Sequence, residues 1–115
     1  MSEPPHSDPE VLQIVLRLRR EYTAAVAHLS DEELGELVEG DLEDAPALDI
    51  TSADHKFRFA AIRFWPREVL AAPLSQAVIL RVLNNFELSA AVRLDFIEKN
   101  VRDRPPRFGS GPGAA

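Results

Sequence analysis

Apolar residues recur at helical spacing over residues 11–29, where they form one stripe. Side chains three and four positions apart lie on the same face of an α-helix, so the pattern predicts an amphipathic helix that packs one side on a core. Asp8 can cap its first turn, and Pro9 is tolerated at the first helical position, so the helix is expected to begin at residue 9. The stripe consists of Val11, Val15, Leu18, Tyr22, Val26 and Leu29.

A second helix is predicted to begin beside Ser30. Ser30 and Glu33 have the spacing of a capping box, and Leu29 and Leu34 have that of a hydrophobic staple. Gly40 is the expected C-terminal stop of this helix, because glycine commonly ends helices. The two helices are therefore expected to form a hairpin with a very short connection.

Residues 40–52 are predicted to form a polar loop, since Pro46 opposes a helix there, with Leu48 and Ile50 as anchors to the core. After the loop, Ser52 can cap a helix over the segment 53–64. The aromatic residues of this segment also fit the alternative of a strand near 56–64 in a hairpin. Two adjacent alanines and the lack of an Asn-Gly or Asp-Gly turn favour the helix.

The most apolar part of the chain is the segment 73–101, around which the other elements are expected to pack. Pro73 can open a helix, and the residues that follow it are apolar on most sides, which is typical of a buried helix. From Phe86 onward a helical period and a strand-like alternation compete. Helix-forming residues and a cap at Ser89 favour the helix, with a strand over 86–97 as the alternative.

These elements predict an all-α fold, a small single-domain bundle of four to five helices over residues 9–102. The alternative is an α+β fold with strands near 56–64 and 86–97. A chain of 115 residues with 45% hydrophobic content can form one core but is too short for two. The proline-containing N-terminus 1–8 and the Pro/Gly-rich tail 103–115 are expected to be disordered.

Charge is distributed unevenly along the chain. The net charge is −6, which argues against a general affinity for nucleic-acid phosphates. Residues 1–52 contain 13 acidic and 3 basic residues, a net charge of −10, whereas residues 53–115 contain 10 basic and 6 acidic residues, a net charge of +4. The two halves are therefore electrostatically complementary.

The sequence contains no motif for catalysis, a cofactor or a metal. Cysteine is absent, the three histidines lie in separate segments, and glycine is scarce outside the C-terminal tail. Spacings typical of metal ligands, nucleophilic serines and phosphate-binding loops are all missing. The sequence also has no apolar run long enough to cross a bilayer and nothing typical of a signal peptide, so the expected location is the cytoplasm.

The most distinctive functional feature is the acidic run from Asp31 to Asp44, which contains eight carboxylates. It predicts a non-enzymatic protein-interaction module, namely a small acidic adaptor, inhibitor or regulatory subunit that acts on a larger protein with a basic surface. A homodimer is the other expected assembly. The alternatives are a nucleic-acid-binding regulator that uses the basic second half and, third, a small enzyme with a carboxylate site. The predicted partner-binding residues are Glu32, Glu36, Glu39, Asp41, Glu43, Asp44 and Trp65.

Overall fold

A computed structural model describes residues 8–103, and every regular element among them is helical. There are seven α-helices: α1 Pro9–Glu21, α2 Thr23–Val26, α3 Asp31–Asp44, α4 Ala53–Ala61, α5 Arg67–Ala71, α6 Pro73–Leu83 and α7 Ala90–Ile97. Short 3₁₀ turns cover Ala45–Leu48 and Ile62–Phe64, and a π-turn covers Glu98–Arg102. The predicted all-α class is confirmed.

Neither strand of the alternative α+β fold is present in the residues that the structure describes. The segment 56–64 lies in α4 and the 3₁₀ turn after it, and the segment 86–97 forms a turn followed by α7. In each segment a serine caps the start of the helix. The Ser52 hydroxyl accepts a hydrogen bond from the backbone N–H of His55, and the Ser89 hydroxyl accepts one from the backbone N–H of Val92. These caps satisfy backbone donors that would otherwise be unpaired at the helix start.

The chain divides into two compact units, residues 1–64 and residues 65–115. The prediction of a single domain over 9–102 stays a prediction. The predicted disordered segments 1–8 and 103–115 lie, apart from Asp8 and Asp103, outside the described residues.

The core of the first unit is built where α1 packs against α3 and α4. The predicted stripe supplies much of it, although the helix is shorter than the stripe: α1 ends at Glu21, and Tyr22 leaves helical geometry with φ −123° and ψ 42° before the four-residue α2. The buried core residues are Val11, Ile14, Val15, Leu18, Val26, Leu34, Val38, Phe57, Ala60 and Ala61.

The predicted capping box is present at the start of α3. The Ser30 hydroxyl accepts from the backbone N–H of Glu33 at 3.0 Å, and the Glu33 carboxylate accepts from the backbone N–H of Ser30 at 2.8 Å. The predicted stop at Gly40 is wrong, because α3 continues to Asp44. A single glycine weakens a helix without ending it when the residues after it can still make helical hydrogen bonds.

The predicted loop 40–52 is mostly helical, since α3 and a 3₁₀ turn occupy it as far as Leu48. Asp49 then takes a left-handed conformation, with φ 58° and ψ 38°, and directs the chain away from the 3₁₀ turn. Aspartate tolerates this conformation better than most residues other than glycine. The expected anchoring is confirmed, because Ile50 is buried and Leu48 is half-buried.

In the second unit α6 packs against α5 and α7. The predicted central segment therefore consists of two helices separated by a turn at 84–89. The prediction of a buried helix for its first part is wrong for one side of α6: Ser75, Ile79 and Leu83 face the interior, whereas Leu80 is 60% exposed.

The turn between α6 and α7 is held by Arg93, which is fully buried. Its Nη1 donates to the carbonyl of Leu83 at 2.7 Å and its Nε donates to the carbonyl of Leu88 at 3.1 Å. Its guanidinium also lies 5.3 Å from the ring centroid of Phe86, within the range of a cation–π contact. The Arg93 side chain, which comes from α7, thus contacts the end of α6 at Leu83 and the turn at Phe86 and Leu88.

Candidate functional site

The acidic run occupies α3, and its first residues have structural roles. Asp31 accepts hydrogen bonds from Nη2 and Nε of Arg19 at 2.7 and 3.2 Å. The same guanidinium donates to the backbone carbonyls of Val26 and Leu29, so it joins the end of α1 to the connection before α3. Asp31 therefore helps to position the start of α3, where a negative charge is also favoured by the helix dipole.

Glu33 is the second carboxylate with a structural role. The hydrogen bond from the backbone N–H of Ser30 is the main cause that lowers the pKa of Glu33, and the bond with the Ser30 side chain is the next. Both interactions favour the charged carboxylate over the protonated acid. Glu33 thus serves the capping box rather than a partner.

Asp41 is the third. It accepts two hydrogen bonds from Arg63, from Nη2 to Oδ1 at 2.7 Å and from Nε to Oδ2 at 3.1 Å, in a bidentate ion pair. The Asp41 side chain is only 13% exposed, and its hydrogen bond raises the pKa of Arg63. Asp41 was predicted to contact a partner, but in the folded chain its carboxylate is occupied by Arg63.

Apart from these three, α3 carries five further carboxylates, all exposed, and we call them the α3 acidic surface. Two of them lie in the last turn of the helix, which contains no basic residue. The C-terminus of a helix carries a partial negative charge, so an acid there is disfavoured by about 0.3–1 kcal/mol at low ionic strength. Fold stability therefore does not account for these last acids. The α3 acidic surface consists of Glu32, Glu36, Glu39, Glu43 and Asp44.

Trp65 does not belong to this surface. It was predicted to contact a partner, but it is only 4% exposed, and its ring lies 5.8 Å from the guanidinium of Arg102. Pro66 follows the 3₁₀ turn Ile62–Phe64 and keeps the residue before it out of helical geometry without turning the tryptophan outward. Its burial removes the basis for assigning it to a partner contact.

Four of the eight basic residues that the structure describes in the second half form ion pairs with the chain's own acids. Ion pairs within 4 Å join Lys56 to Glu10, Arg58 to Asp54, Arg63 to Asp41 and Arg102 to Asp103. Phosphate binding needs cations that are available to replace counterions, so this pairing weakens the nucleic-acid alternative. Arg104 and Arg107 lie outside the described residues.

The structure exposes a second surface that the sequence analysis did not assign. Phe86, Leu88, Val92 and Phe96 are large apolar residues with substantial solvent exposure, and they lie on α7 and the turn before it. In the sequence, these exposed residues are indicated by the strand-like alternation over 86–97. The alternation arises because apolar residues occupy the outward side of α7 as well as the inward side.

Other kinds of site find no support in the part of the chain that the structure describes. Residues 8–103 hold no group of three or more His, Asp or Glu side chains arranged to bind a metal ion. Over the same range, no helix combines the length and apolar character that crossing a bilayer would require. Comparisons with protein-family models, curated proteins and solved structures gave no match.

Proposed function

We propose that this protein is a non-enzymatic interaction module, a small adaptor, inhibitor or regulatory subunit that binds a basic surface of a larger protein. The α3 acidic surface makes the contact, with Glu43 and Asp44 at its C-terminal end. The partner is expected in the cytoplasm, the location predicted from the sequence for this chain.

The observation that supports this proposal is the placement of Glu43 and Asp44 in the last turn of α3. Acids at this position oppose the helix dipole, and within residues 8–103 neither side chain forms an ion pair or hydrogen bond. Residues that lower stability without a compensating contact are typical of functional surfaces. A cluster of exposed carboxylates attracts a basic surface and accelerates association with it.

The proposal makes stability and binding change in opposite directions when these charges are reversed. In Glu43→Lys with Asp44→Lys, the new cations favour the helix C-terminus, so we expect the free energy of unfolding to be unchanged or to rise by a few tenths of a kcal/mol to about 1 kcal/mol. Association with a basic partner, captured by crosslinking in the native host and identified by mass spectrometry, is expected to slow by about tenfold or more at low salt.

The matched control is Glu68→Lys, compared with the single variant Glu43→Lys, because both change the net charge equally at an exposed residue and Glu68 lies outside α3. We expect this control to bind with nearly wild-type kinetics. Unchanged association of the α3 variant, or an equal loss in both variants, would contradict a specific role of α3. Tight and salt-sensitive binding of labelled DNA or RNA would instead favour a nucleic-acid-binding regulator.

A further inference from the structure

The second surface is formed by the turn before α7 and the outward side of that helix. The side chains of Phe86, Leu88, Val92 and Phe96 are 56%, 38%, 49% and 46% exposed. We call these four residues the α7 apolar surface. They are half of the exposed large hydrophobic residues found in residues 8–103, and they fall within one short segment. Scattered exposed apolar residues are ordinary, but a local concentration marks an interaction surface.

The α7 helix is apolar on two opposite sides. Its inward side buries Ala90, Leu94 and Ile97, while Val92 and Phe96 lie one turn apart on the outward side. Surface helices normally have a polar outward side, and a helix that is apolar all round is typical of a position covered on every side. The folded monomer therefore buries the inward apolar side of α7 and leaves its outward apolar side uncovered.

This surface is held in place before any partner arrives. Arg93 fixes the carbonyls of Leu83 and Leu88 and lies against the ring of Phe86, so the turn that presents Phe86 and Leu88 is anchored from inside. Val92 follows on the helix that Ser89 caps. A preorganised surface loses less conformational entropy on binding than a flexible one.

The exposed area is suited to one side of a stable interface. A phenylalanine presents about 200 Å² when fully exposed, so Phe86 and Phe96 leave about 200 Å² exposed, and the smaller Leu88 and Val92 bring the total to on the order of 350 Å² of apolar surface. A standard protein interface buries about 800 Å² per partner, of which slightly more than half is apolar. The α7 apolar surface supplies most of the apolar area that one partner contributes.

The charge around this surface fits a second copy better than a charged foreign protein. The second unit, residues 65–115, contains seven basic and five acidic residues, so its net charge is only +2. Two copies would meet through this unit with little repulsion, and a strongly charged partner would gain little attraction there. We propose that two copies of this chain associate through their α7 apolar surfaces, in a symmetric dimer in which each surface covers the other.

Sedimentation velocity of the full chain over a concentration series tests this dimer. We expect the wild type to be dimeric at high concentration and to dissociate on dilution. Phe96→Glu places a charge within the contact, so we expect the dimer dissociation constant to rise by about 30-fold or more, as for a hot-spot residue. The matched control is Leu16→Glu, at a leucine of α1 that is 63% exposed, which is expected to leave the dimer intact.

Circular dichroism verifies that each variant is folded, and Val92→Glu provides a second substitution if Phe96→Glu lowers the helix content. A wild type that stays monomeric up to about 1 mM would overturn the proposal. A dimer that survives both Phe96→Glu and Val92→Glu would overturn it as well. The result is separate from that for the proposed function. The variant Glu43→Lys with Asp44→Lys is expected to dimerise like the wild type, so either proposal can fail while the other holds.

Discussion

Single residues show which interactions a sequence reveals directly. Ser30 and Glu33 are three positions apart, and their reciprocal hydrogen bonds follow from that spacing alone, so the capping box could be predicted. Arg93 could not be predicted, because nothing in its neighbourhood in sequence indicates burial of a charged side chain. Its position depends on the carbonyl of Leu83, ten residues earlier, which needs a cation or another donor at the end of α6.

The pKa of Glu33 gives a pH-dependent prediction at this scale. Because hydrogen bonds lower this pKa below its ordinary value of 4.5, the folded state binds fewer protons at this site than the unfolded state. The site therefore stabilises the fold above that value and loses this contribution as the pH falls through the lowered pKa. Glutamine can make the same hydrogen bonds without a charge, so Glu33→Gln keeps the capping box and removes this pH dependence.

The measurement is the urea midpoint of the wild type and of Glu33→Gln between about pH 7 and about pH 3. We expect the advantage of the wild type to be constant near neutral pH and to shrink as the pH falls below 4.5. Glu32→Gln, one position earlier on the exposed surface, is the control for removing a carboxylate outside the capping box. A difference between wild type and Glu33→Gln that is independent of pH would contradict the proposed charge-assisted cap.

Whole elements were predictable where one face alone is apolar. The stripe on α1 identifies the helix correctly, although not its end at Tyr22, because the break depends on how the chain packs beyond Glu21. The segment 86–97 was ambiguous for the opposite reason. Its outward apolar residues added a second period to the helical one, so the surface we propose as a dimer contact is also what obscured the secondary structure.

The continuation of α3 past Gly40 gives a prediction for this element. Gly40 is an interior helix residue, and a Cβ atom added there meets nothing within 4 Å. Alanine restricts the unfolded chain and favours the helix, so Gly40→Ala is expected to stabilise the fold by about 0.5–1 kcal/mol. Chemical denaturation measures the change. A lowered midpoint would indicate that the helix ends at Gly40, because alanine is disfavoured where a left-handed C-terminal glycine is needed.

The charge distribution is a property of the whole molecule that the sequence revealed in part. The predicted complementarity of the two halves is visible inside the first unit, where Lys56 pairs with Glu10 and Arg63 with Asp41. These pairs join residues before 52 to residues after it. They do not balance the charge, since the residues 1–64 contain 14 acidic and 6 basic residues, a net charge of −8. Which acids would be paired could not be predicted, because each pair depends on how the helices pack.

The remaining negative charge predicts how salt affects stability. Exposed ion pairs contribute only about 0–1 kcal/mol each, whereas the carboxylates of the α3 acidic surface repel one another, and the last two also oppose the partial negative charge at the C-terminus of their helix. Salt screens both effects, and we expect the relief of repulsion to be larger, so the urea midpoint of the wild type should rise as sodium chloride is increased from about 0.01 M to about 0.5 M.

In Glu43→Lys with Asp44→Lys the repulsion is already reduced, and the rise should be smaller. The comparison of the two proteins cancels the effect of salt on apolar burial, which both share. An equal rise in both, or a fall in the wild type alone, would mean that the last acids of α3 do not destabilise the fold, and would remove the main physical reason for assigning them to a partner.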